Sequence, residues 1–215
     1  MHESRLDVIF DEEKDILQEI MNIAFGQAAA ELAELINIHV ILSVPYIKIL
    51  RAAHLPEYIA SEVSDYGNIS IIEQNYWGKF KGTAYLIFPS AAGKELISIM
   101  DDGGGNMPWG FESIDVLERE VLMEIGNILI GACTGKIAEL LKDVVTYSPP
   151  RVIIKDHPQN VIPGGLFNPD LSAIVMKTVF TLSGGKVNVY LFMVIGQDSI
   201  SWLKKSLIEF VEQYG

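Results

Sequence analysis

The sequence predicts an α/β fold of the α+β type: a single domain of two pseudo-two-fold-related repeats, with a six-stranded, largely antiparallel sheet packed with two long helices. Three observations predict this fold. Two long apolar helical segments carry the same narrow polar stripe. Their asparagines, Asn22 and Asn127, lie 105 residues apart. Strand and hairpin patterns follow each helix in the same order. We therefore expect one domain over residues 1–215, with repeats at about 8–105 and 113–215.

The repeat is defined by a constant offset of 105 residues. The offset relates the following pairs: Glu19 and Glu124, Gly26 and Gly131, Ala33 and Ala138, Glu34 and Glu139, Pro45 and Pro150, Lys81 and Lys186, Tyr85 and Tyr190, and Leu86 and Leu191. An offset that holds over so much of each half indicates two copies of one unit.

Each half is predicted to run helix, strand, variable segment, hairpin and helix. The first long helix is predicted over 11–36, and its acidic start suits the positive end of the helix dipole. Pro45 interrupts the strand at 39–50, which indicates an edge or bulged strand, because proline lacks the N–H that a central ladder needs. The other predictions are a short helix at 55–66, a loop at 160–170, hairpins at 69–77 with 81–88 and at 174–182 with 186–195, helices at 91–100 and 197–211, and a linker at 101–106.

Composition limits the classes of partner. The chain has 28 acidic and 16 basic residues, a net charge of −12, and such a surface repels nucleic-acid phosphates and anionic lipids. The single cysteine, Cys133, cannot form an internal disulfide, which fits a reducing cytoplasm, and we expect it to fill space in the second helix. The start does not resemble a signal peptide, and no charge-free apolar run reaches about 18–20 residues. These features predict a cytoplasmic protein without nucleic-acid or membrane partners.

A polar stripe on each long helix is the candidate site. A helix turns about 100° per residue, so residues spaced by three or four share one face. The first stripe is Asp15, Glu19, Asn22 and Gly26, and the second stripe is Glu120, Glu124, Asn127 and Gly131. Apolar residues such as Leu17, Ile20, Val121 and Ile125 lie on the remaining arc, so both helices are expected to be mostly buried. The four histidines are scattered without metal-ligand spacing, so no metal site is predicted.

Two interpretations of the stripes stay open from the residues alone. Glutamates are common on solvated helix faces, and an Asn can satisfy a backbone group where helices cross. The functional interpretation starts from the asparagines, because Asn is a poor residue in the middle of a helix. A Glu and an Asn three positions apart lie side by side on one turn. The amide can orient a water molecule and the carboxylate can pair with a cation, which suits attack by water on a group that another molecule brings.

The spacing resembles the motif of the CheC, CheX and FliY family of response-regulator phosphatases. That motif is Asp or Ser, three residues, Glu, two residues, Asn, 22 residues and Pro. The first copy matches at every position, and the second departs only at Glu120, where Asp or Ser is usual. The matching residues are Asp15, Glu19, Asn22 and Pro45 in the first copy, and Glu124, Asn127 and Pro150 in the second. Two copies in one chain are similar to the CheC branch.

The resemblance implies a phosphatase for the aspartyl phosphate of CheY-like response regulators, with two equivalent sites on the long helices. Asn22 and Asn127 would align a water in line with the phosphoryl group. Glu19 and Glu124 would pair with the regulator's active-site lysine. Asp15 and Glu120 would contact the regulator at the rim of the site. The chain itself would bind no cofactor, and the regulator would bring Mg²⁺.

Alternatives to this function stay open. The chain could be a non-catalytic adaptor that binds a receiver domain or the receptor deamidase CheD, or a structural domain whose stripes only support helix contacts. Because both halves lie in one chain, we expect a monomer.

Overall fold

The computed structural model describes residues 9–37, 39–102, 114–155, 168–182 and 187–214. The helices are α1 (Asp11–Ile36), α2 (Leu55–Glu62), α3 (Ala92–Asp102), α4 (Ile114–Leu140) and α5 (Ile200–Tyr214). The strands are β1 (Val40–Leu42), β2 (Tyr46–Arg51), β3 (Ile69–Trp77), β4 (Gly82–Pro89), β5 (Thr146–Tyr147), β6 (Arg151–Lys155), β7 (Ser172–Leu182) and β8 (Val187–Gly196). This order confirms the helix, strand, hairpin and helix pattern predicted for each half.

Both long helices end in the same way. Asn37 follows α1 with a left-handed backbone, φ 50°, and its N–H donates to the carbonyl of Ala33. Lys142 follows α4 with φ 54°, 105 residues later. A left-handed residue stops a helix by turning its last N–H groups back onto free carbonyls. The offset found in the sequence therefore extends to the helix ends.

All strand pairs in the sheet are antiparallel. The eight strand segments occupy six positions in the sheet, because each of the two edge positions holds two short segments. The order is β1/β2, β7, β8, β4, β3, β5/β6. The first strand of each half pairs with the other half: β1 and β2 lie on β7, and β5 and β6 lie on β3. This confirms the predicted six-stranded antiparallel sheet and shows that the two repeats exchange their edge strands.

Each edge strand is broken by a bulge at its proline. Three edge residues face two residues of the neighbouring strand, so the register shifts by one. The pairs that flank the bulges are Leu42 with Phe180 and Tyr46 with Lys177 in one half, and Tyr147 with Tyr76 and Arg151 with Glu73 in the other. Pro45 and Pro150 lie in the two breaks. The prediction of an edge or bulged strand is thereby confirmed.

The offset of 105 residues holds for the long helices and edge strands but not for the hairpins. Tyr46 pairs with Lys177, and Arg151, which lies 105 residues after Tyr46, pairs with Glu73. Lys177 is therefore the structural counterpart of Glu73, and these two residues lie 104 apart. In β3 and β7 the counterparts are thus shifted by one residue from the sequence-based alignment.

The second strands of the hairpins are shifted in the opposite direction. Glu73 pairs with Tyr85, and its counterpart Lys177 pairs with Phe192, so the counterpart of Tyr85 is Phe192. The sequence-based pairing of Tyr85 with Tyr190, and with it that of Leu86 with Leu191, was wrong. The two hairpins differ in register, so identical residues at equal spacing do not occupy equal places. Lys186, which was aligned with Lys81, lies outside the described residues.

The sheet has one core on each face. On one face, α1 and α4 pack against each other and cover the strands, together with α3 and α5. On the opposite face, α2 packs its buried Tyr58 and Ile59 against alternate strand residues such as Ile71 and Val194. The two stripes therefore belong to helices that lie on the same side of the sheet.

Helix α4 is strongly apolar. By length and composition alone, the segment Val116–Leu140 could cross a membrane, since its mean hydropathy is 1.4. However, 56% of its most apolar stretch is buried inside the protein. It packs against α1 and the sheet, as the core helix of a globular domain does. Cys133 is completely buried in this helix, and burial raises the pKa of its thiol, as expected for a residue that fills space.

Two connecting segments were predicted only in part. Asp101 and Asp102 were assigned to the linker but form the last turn of α3, while 103–106 lie outside the described residues. In the loop predicted at 160–170, only 168–170 are described, and Pro169 and Asp170 form a turn there.

Candidate active site

The first stripe is exposed on α1 at all four positions. Asp15, Glu19, Asn22 and Gly26 all face solvent, while Leu17, Ile20, Met21, Ala24 and Phe25 on the same turns are completely buried. At the start of the helix, the backbone N–H of Phe10 donates to Glu13 Oε2 at 2.8 Å, which fixes the first turn. The rest of α1 is held by the core, so the stripe is presented by a fixed helix.

The second stripe lies on α4 and is somewhat less exposed. Glu124 and Asn127 face solvent, whereas Glu120 and Gly131 are half-buried. Val121, Ile125 and the other apolar residues of the same turns pack into the core. The structure thus brings each predicted Glu–Asn pair to the surface, on two helices that contact each other.

The four stripe carboxylates make no salt bridge with any other described residue. They are Asp15, Glu19, Glu120 and Glu124. The salt bridges of the described chain lie elsewhere, for example Lys14 with Asp11 at 3.0 Å beside the first stripe. These carboxylates are therefore available to a cation from another molecule. Within the described ranges, no group of three or more His, Cys, Asp or Glu side chains is arranged to hold a metal ion.

The glycines of the stripes are not needed for packing within the chain. A Cβ atom placed on Gly26 or on Gly131 would have no described atom within 4 Å outside its own helical turns. Glycine inside a helix costs about 0.5–1 kcal/mol relative to alanine. Each stripe therefore keeps open space one turn after its asparagine, at some cost to helix stability.

The Asn127 amide has a partner that the sequence analysis missed. Gln74 in β3 donates from Nε2 to Asn127 Oδ1 at 3.2 Å and to the backbone carbonyl of Ser148 at 3.0 Å. Ser148 lies in the bulge between β5 and β6. The available signal was the polar run Glu73, Gln74 and Asn75 within β3, but the contact of Gln74 with Asn127 depends on the packing of α4.

The first half lacks an equivalent contact to its amide. The counterpart of Gln74 is Thr178, whose Oγ1 donates to the carbonyl of Ser43 in the other bulge at 3.0 Å. The bulge is thus held in both halves, but the threonine side chain is too short to extend to the helix. Among the described residues, the Asn22 side chain has no hydrogen-bond partner.

The helices also approach the sheet differently. A Cβ on Gly126 would lie 2.8 Å from Ile72 Cγ2, so α4 contacts β3 at a distance that only glycine permits. Ile72 and Gln74 lie on the same face of β3, because strand residues alternate between faces. Met21, the counterpart of Gly126 in α1, is a large buried side chain. This close approach explains why a side chain from the sheet contacts Asn127 and not Asn22.

The Tyr147 hydroxyl lies beside the end of the second stripe. The Tyr147 hydroxyl lies 3.1 Å from Thr134 Oγ1 and 3.4 Å from the carbonyl oxygen of Gly131. The tyrosine is 36% exposed. Its counterpart in the first half is Leu42, which offers no polar group. The Tyr147 hydroxyl therefore gives the end of the second stripe a polar neighbour that Leu42 cannot give the first.

The fold and the stripes define a class of protein: an antiparallel sheet shared by two repeats, each with a long helix that presents a Glu–Asn pair. Comparison with known proteins agrees with this class. The model of the CheC-like family matches the chain twice, at residues 12–49 and 117–154. Each match contains one complete stripe and the proline of the following edge strand. Both halves of the chain are therefore similar to the CheC-like family.

Individual relatives extend the similarity over most of the chain. The CheY-P phosphatase CheC of Bacillus subtilis is 29% identical over 204 residues, which cover 91% of this chain and 93% of that protein. The flagellar motor switch phosphatase FliY of Bacillus subtilis is 26% identical over 158 residues, which cover 70% of this chain and 38% of FliY. The crystal structure of Thermotoga maritima FliY shares the fold, with a TM-score of 0.69 and 24% identity, over 97% of this chain and all of that one.

Proposed function

We propose that this chain is a phosphatase that hydrolyses the aspartyl phosphate of a CheY-like response regulator. The observation that carries the proposal is the pair of exposed Glu–Asn sites on two otherwise buried helices. The matches of both halves to the CheC-like family support it, as does similarity over nearly the full length of a relative named CheY-P phosphatase. The substrate is another protein, which fits sites that lie on exposed helix surfaces.

Asn22 and Asn127 are assigned the central role in the chemistry. An amide group accepts and donates hydrogen bonds, so it can hold a water molecule in line with the bond that breaks. Phosphoryl transfer depends mainly on positioning and charge stabilisation, so a strong base is not required. The water oxygen forms a bond to phosphorus while the bond from phosphorus to the aspartyl oxygen breaks, which yields inorganic phosphate and a free carboxylate.

The remaining stripe residues are assigned to docking. Glu19 and Glu124 each lie one turn before an asparagine and pair with the regulator's active-site lysine. Asp15 and Glu120 lie one further turn away and contact the regulator at the rim. The regulator supplies the Mg²⁺ that accompanies phosphoryl transfer. The open space at the stripe glycines admits the regulator surface beside each amide.

Turnover tests the proposal against simple binding. A phosphorylated CheY-like receiver would be mixed with this protein at about one tenth of its concentration, and release of inorganic phosphate would be followed. We expect release of nearly all the phosphate, much faster than from the receiver alone. The variant Gln27→Ala serves as the control, because Gln27 is exposed on α1 but lies outside the stripe. Release that does not exceed the rate of the receiver alone would contradict the proposal and favour an adaptor.

A further inference from the structure

We propose that Gln74 is a positioning residue of the second site, which holds the Asn127 amide in one orientation and makes the two sites unequal. The consequence for catalysis rests on the proposed function. The hydrogen-bond arrangement itself does not, because it is a property of the free protein.

The orientation follows from a chain of hydrogen bonds that begins at the backbone. The carbonyl of Ser148 can only accept, so the group of Gln74 that faces it must be the NH₂. The same NH₂ group faces Asn127 at 3.2 Å, so Asn127 must present its Oδ1 there. A flip of either amide would bring two donors or two acceptors together. The Nδ2 of Asn127 therefore points away from Gln74.

Gln74 is buried, and within the described structure only its side-chain NH₂ group makes hydrogen bonds. Its side chain belongs to a residue that is only 2% exposed, and Oε1 has no hydrogen-bond partner among the described residues. Burial of an unpaired amide oxygen opposes folding. The two hydrogen bonds that Gln74 donates, to the Ser148 carbonyl and to Asn127 Oδ1, offset this cost.

The same arrangement is absent from the first half for two physical reasons. Thr178 replaces Gln74 and binds only the bulge carbonyl. Met21 replaces Gly126, so the helix does not make the close contact that Gly126 makes with Ile72. No described residue holds the Asn22 amide in one orientation, so it has rotational freedom to lose when a regulator docks.

Replacement of Gln74 by the residue of the other half is the test. Gln74→Thr retains a donor for Ser148, as Thr178 has for Ser43, but it cannot extend to Asn127. The variant would be made in two single-site backgrounds: Asn22→Ala, which leaves the second site, and Asn127→Ala, which leaves the first. We expect kcat to fall about fivefold in the first background with KM nearly constant, because loss of a neutral hydrogen bond disturbs orientation. In the second background we expect no change.

A measurement on the free protein separates this proposal from the proposed function. The side-chain NH₂ resonance of Asn127 would be observed by NMR in Gln74→Thr and in the unmodified chain. We expect this resonance to shift and to gain mobility, while that of Asn22 does not change. Thermal unfolding would check that the variant folds. Thr178→Val, which removes the bulge contact of the first half and touches neither amide, controls for effects on the bulge.

The two measurements have distinct outcomes. An unchanged Asn127 resonance overturns the positioning role whatever the activity. An unchanged kcat in the Asn22→Ala background overturns it as well, even if the resonance moves. If replacement of both asparagines leaves full activity, the proposed function fails instead, and the resonance still decides whether Gln74 orients Asn127.

Discussion

The two stripes carry nearly the same residues in different surroundings. In the first, all four residues are exposed, the Asn22 amide has no hydrogen-bond partner among the described residues, and the neighbouring Met21 is completely buried. In the second, Gly126 brings the helix close to the sheet and Gln74 holds Asn127. What the halves share is the outward-facing Glu–Asn pair. What differs is the set of residues that supports it.

This difference separates two requirements of such a site. The outward-facing Glu–Asn pairs are expected to decide whether a regulator binds and reacts, and they are alike in both halves. The residues beneath them, such as Gln74 and Gly126 in the second half, decide how firmly each asparagine amide is held before binding. An amide held in advance loses less freedom when the complex forms. The halves are thus equivalent in chemistry but unequal in preorganisation, and each prediction below tests one side of this comparison.

The glutamates test the outward-facing residues that the halves share, and they should give the largest effect of any change outside the two asparagines. In the single-site backgrounds, Glu19→Gln in Asn127→Ala and Glu124→Gln in Asn22→Ala should each raise KM about tenfold. The reason is loss of a hydrogen bond between charged groups, which contributes about 1.5–3 kcal/mol. Steady-state dephosphorylation at varied receiver concentration measures it. An effect confined to kcat, or to one half, would show that the carboxylates do not share a docking role.

A substitution at Gly126 tests the close approach of α4 to β3, which only the second half has. Gly126→Ala should destabilise the protein by about 1–3 kcal/mol, because the new methyl group meets Ile72 at a distance that requires movement. Urea unfolding measures this change. Gly131→Ala, five residues along the same helix, is the matched control and meets open space. Equal stability of the two variants would show that α4 does not depend on the close approach.

The stripe glycines test whether open space serves a partner. Gly26→Ala and Gly131→Ala should each stabilise the free protein by about 0.5–1 kcal/mol, because alanine is the better helix residue. Both should weaken dephosphorylation at their own site in a single-site background. Unfolding and activity assays on the same preparations measure the two effects. If activity stays unchanged while stability rises, the space is not used by the regulator.

The face of the sheet covered by α2 also differs between the halves, and we expect a smaller effect there. The counterparts Glu73 and Lys177 carry opposite charges, and Lys177 pairs with Glu62 of α2. Burial opposes the charged form of Glu62, but the hydrogen bond from Lys177 and its positive charge outweigh it and hold the pKa of this carboxyl below its usual value. A lowered pKa in the folded state stabilises the protein above the unfolded pKa, and this contribution is lost as the pH falls through the folded value.

The unmodified chain should lose stability as the pH falls below about 4.5, the ordinary pKa of a glutamate. Glu62→Gln should lose less stability over this range, because it has no carboxylate to protonate at this position. Thermal unfolding from about pH 3 to pH 6 measures the slope. Glu57→Gln, at an exposed position of α2, is the control. Parallel curves for the unmodified chain and Glu62→Gln would contradict the assigned role of this ion pair.

Local patterns in the sequence were sufficient for the elements and the stripes. The bounds 11–36 of α1 and 69–77 of β3 agree with the prediction, because periodicity, acidic first turns and β-branched runs act within a few residues. Pro45 correctly marked a break in an edge strand, because the missing N–H is a local property.

Long-range features could not be read in this way. The exchange of edge strands depends on contacts between residues far apart in the chain, such as Val40 and Leu182. The registers of the two hairpins differ in a way that one constant offset does not describe, so Tyr85 was aligned with Tyr190 instead of Phe192. Gln74 was missed for a similar reason. Its contact with Asn127 exists only because Gly126 lets α4 approach β3, and no local pattern reports the distance between a helix and a strand.

The most direct test of the account is the dephosphorylation rate of a radiolabelled CheY-like receiver with four proteins: the unmodified chain, Asn22→Ala, Asn127→Ala and the double variant. We expect the single variants to retain activity, with the larger loss for Asn127→Ala, because that amide is held in advance. The double variant should lose about 100-fold or more of the acceleration, as expected when a transition-state contact is removed, and should unfold at the same temperature as the unmodified chain. A folded double variant that remains as fast as the unmodified chain would contradict the assignment of both amides.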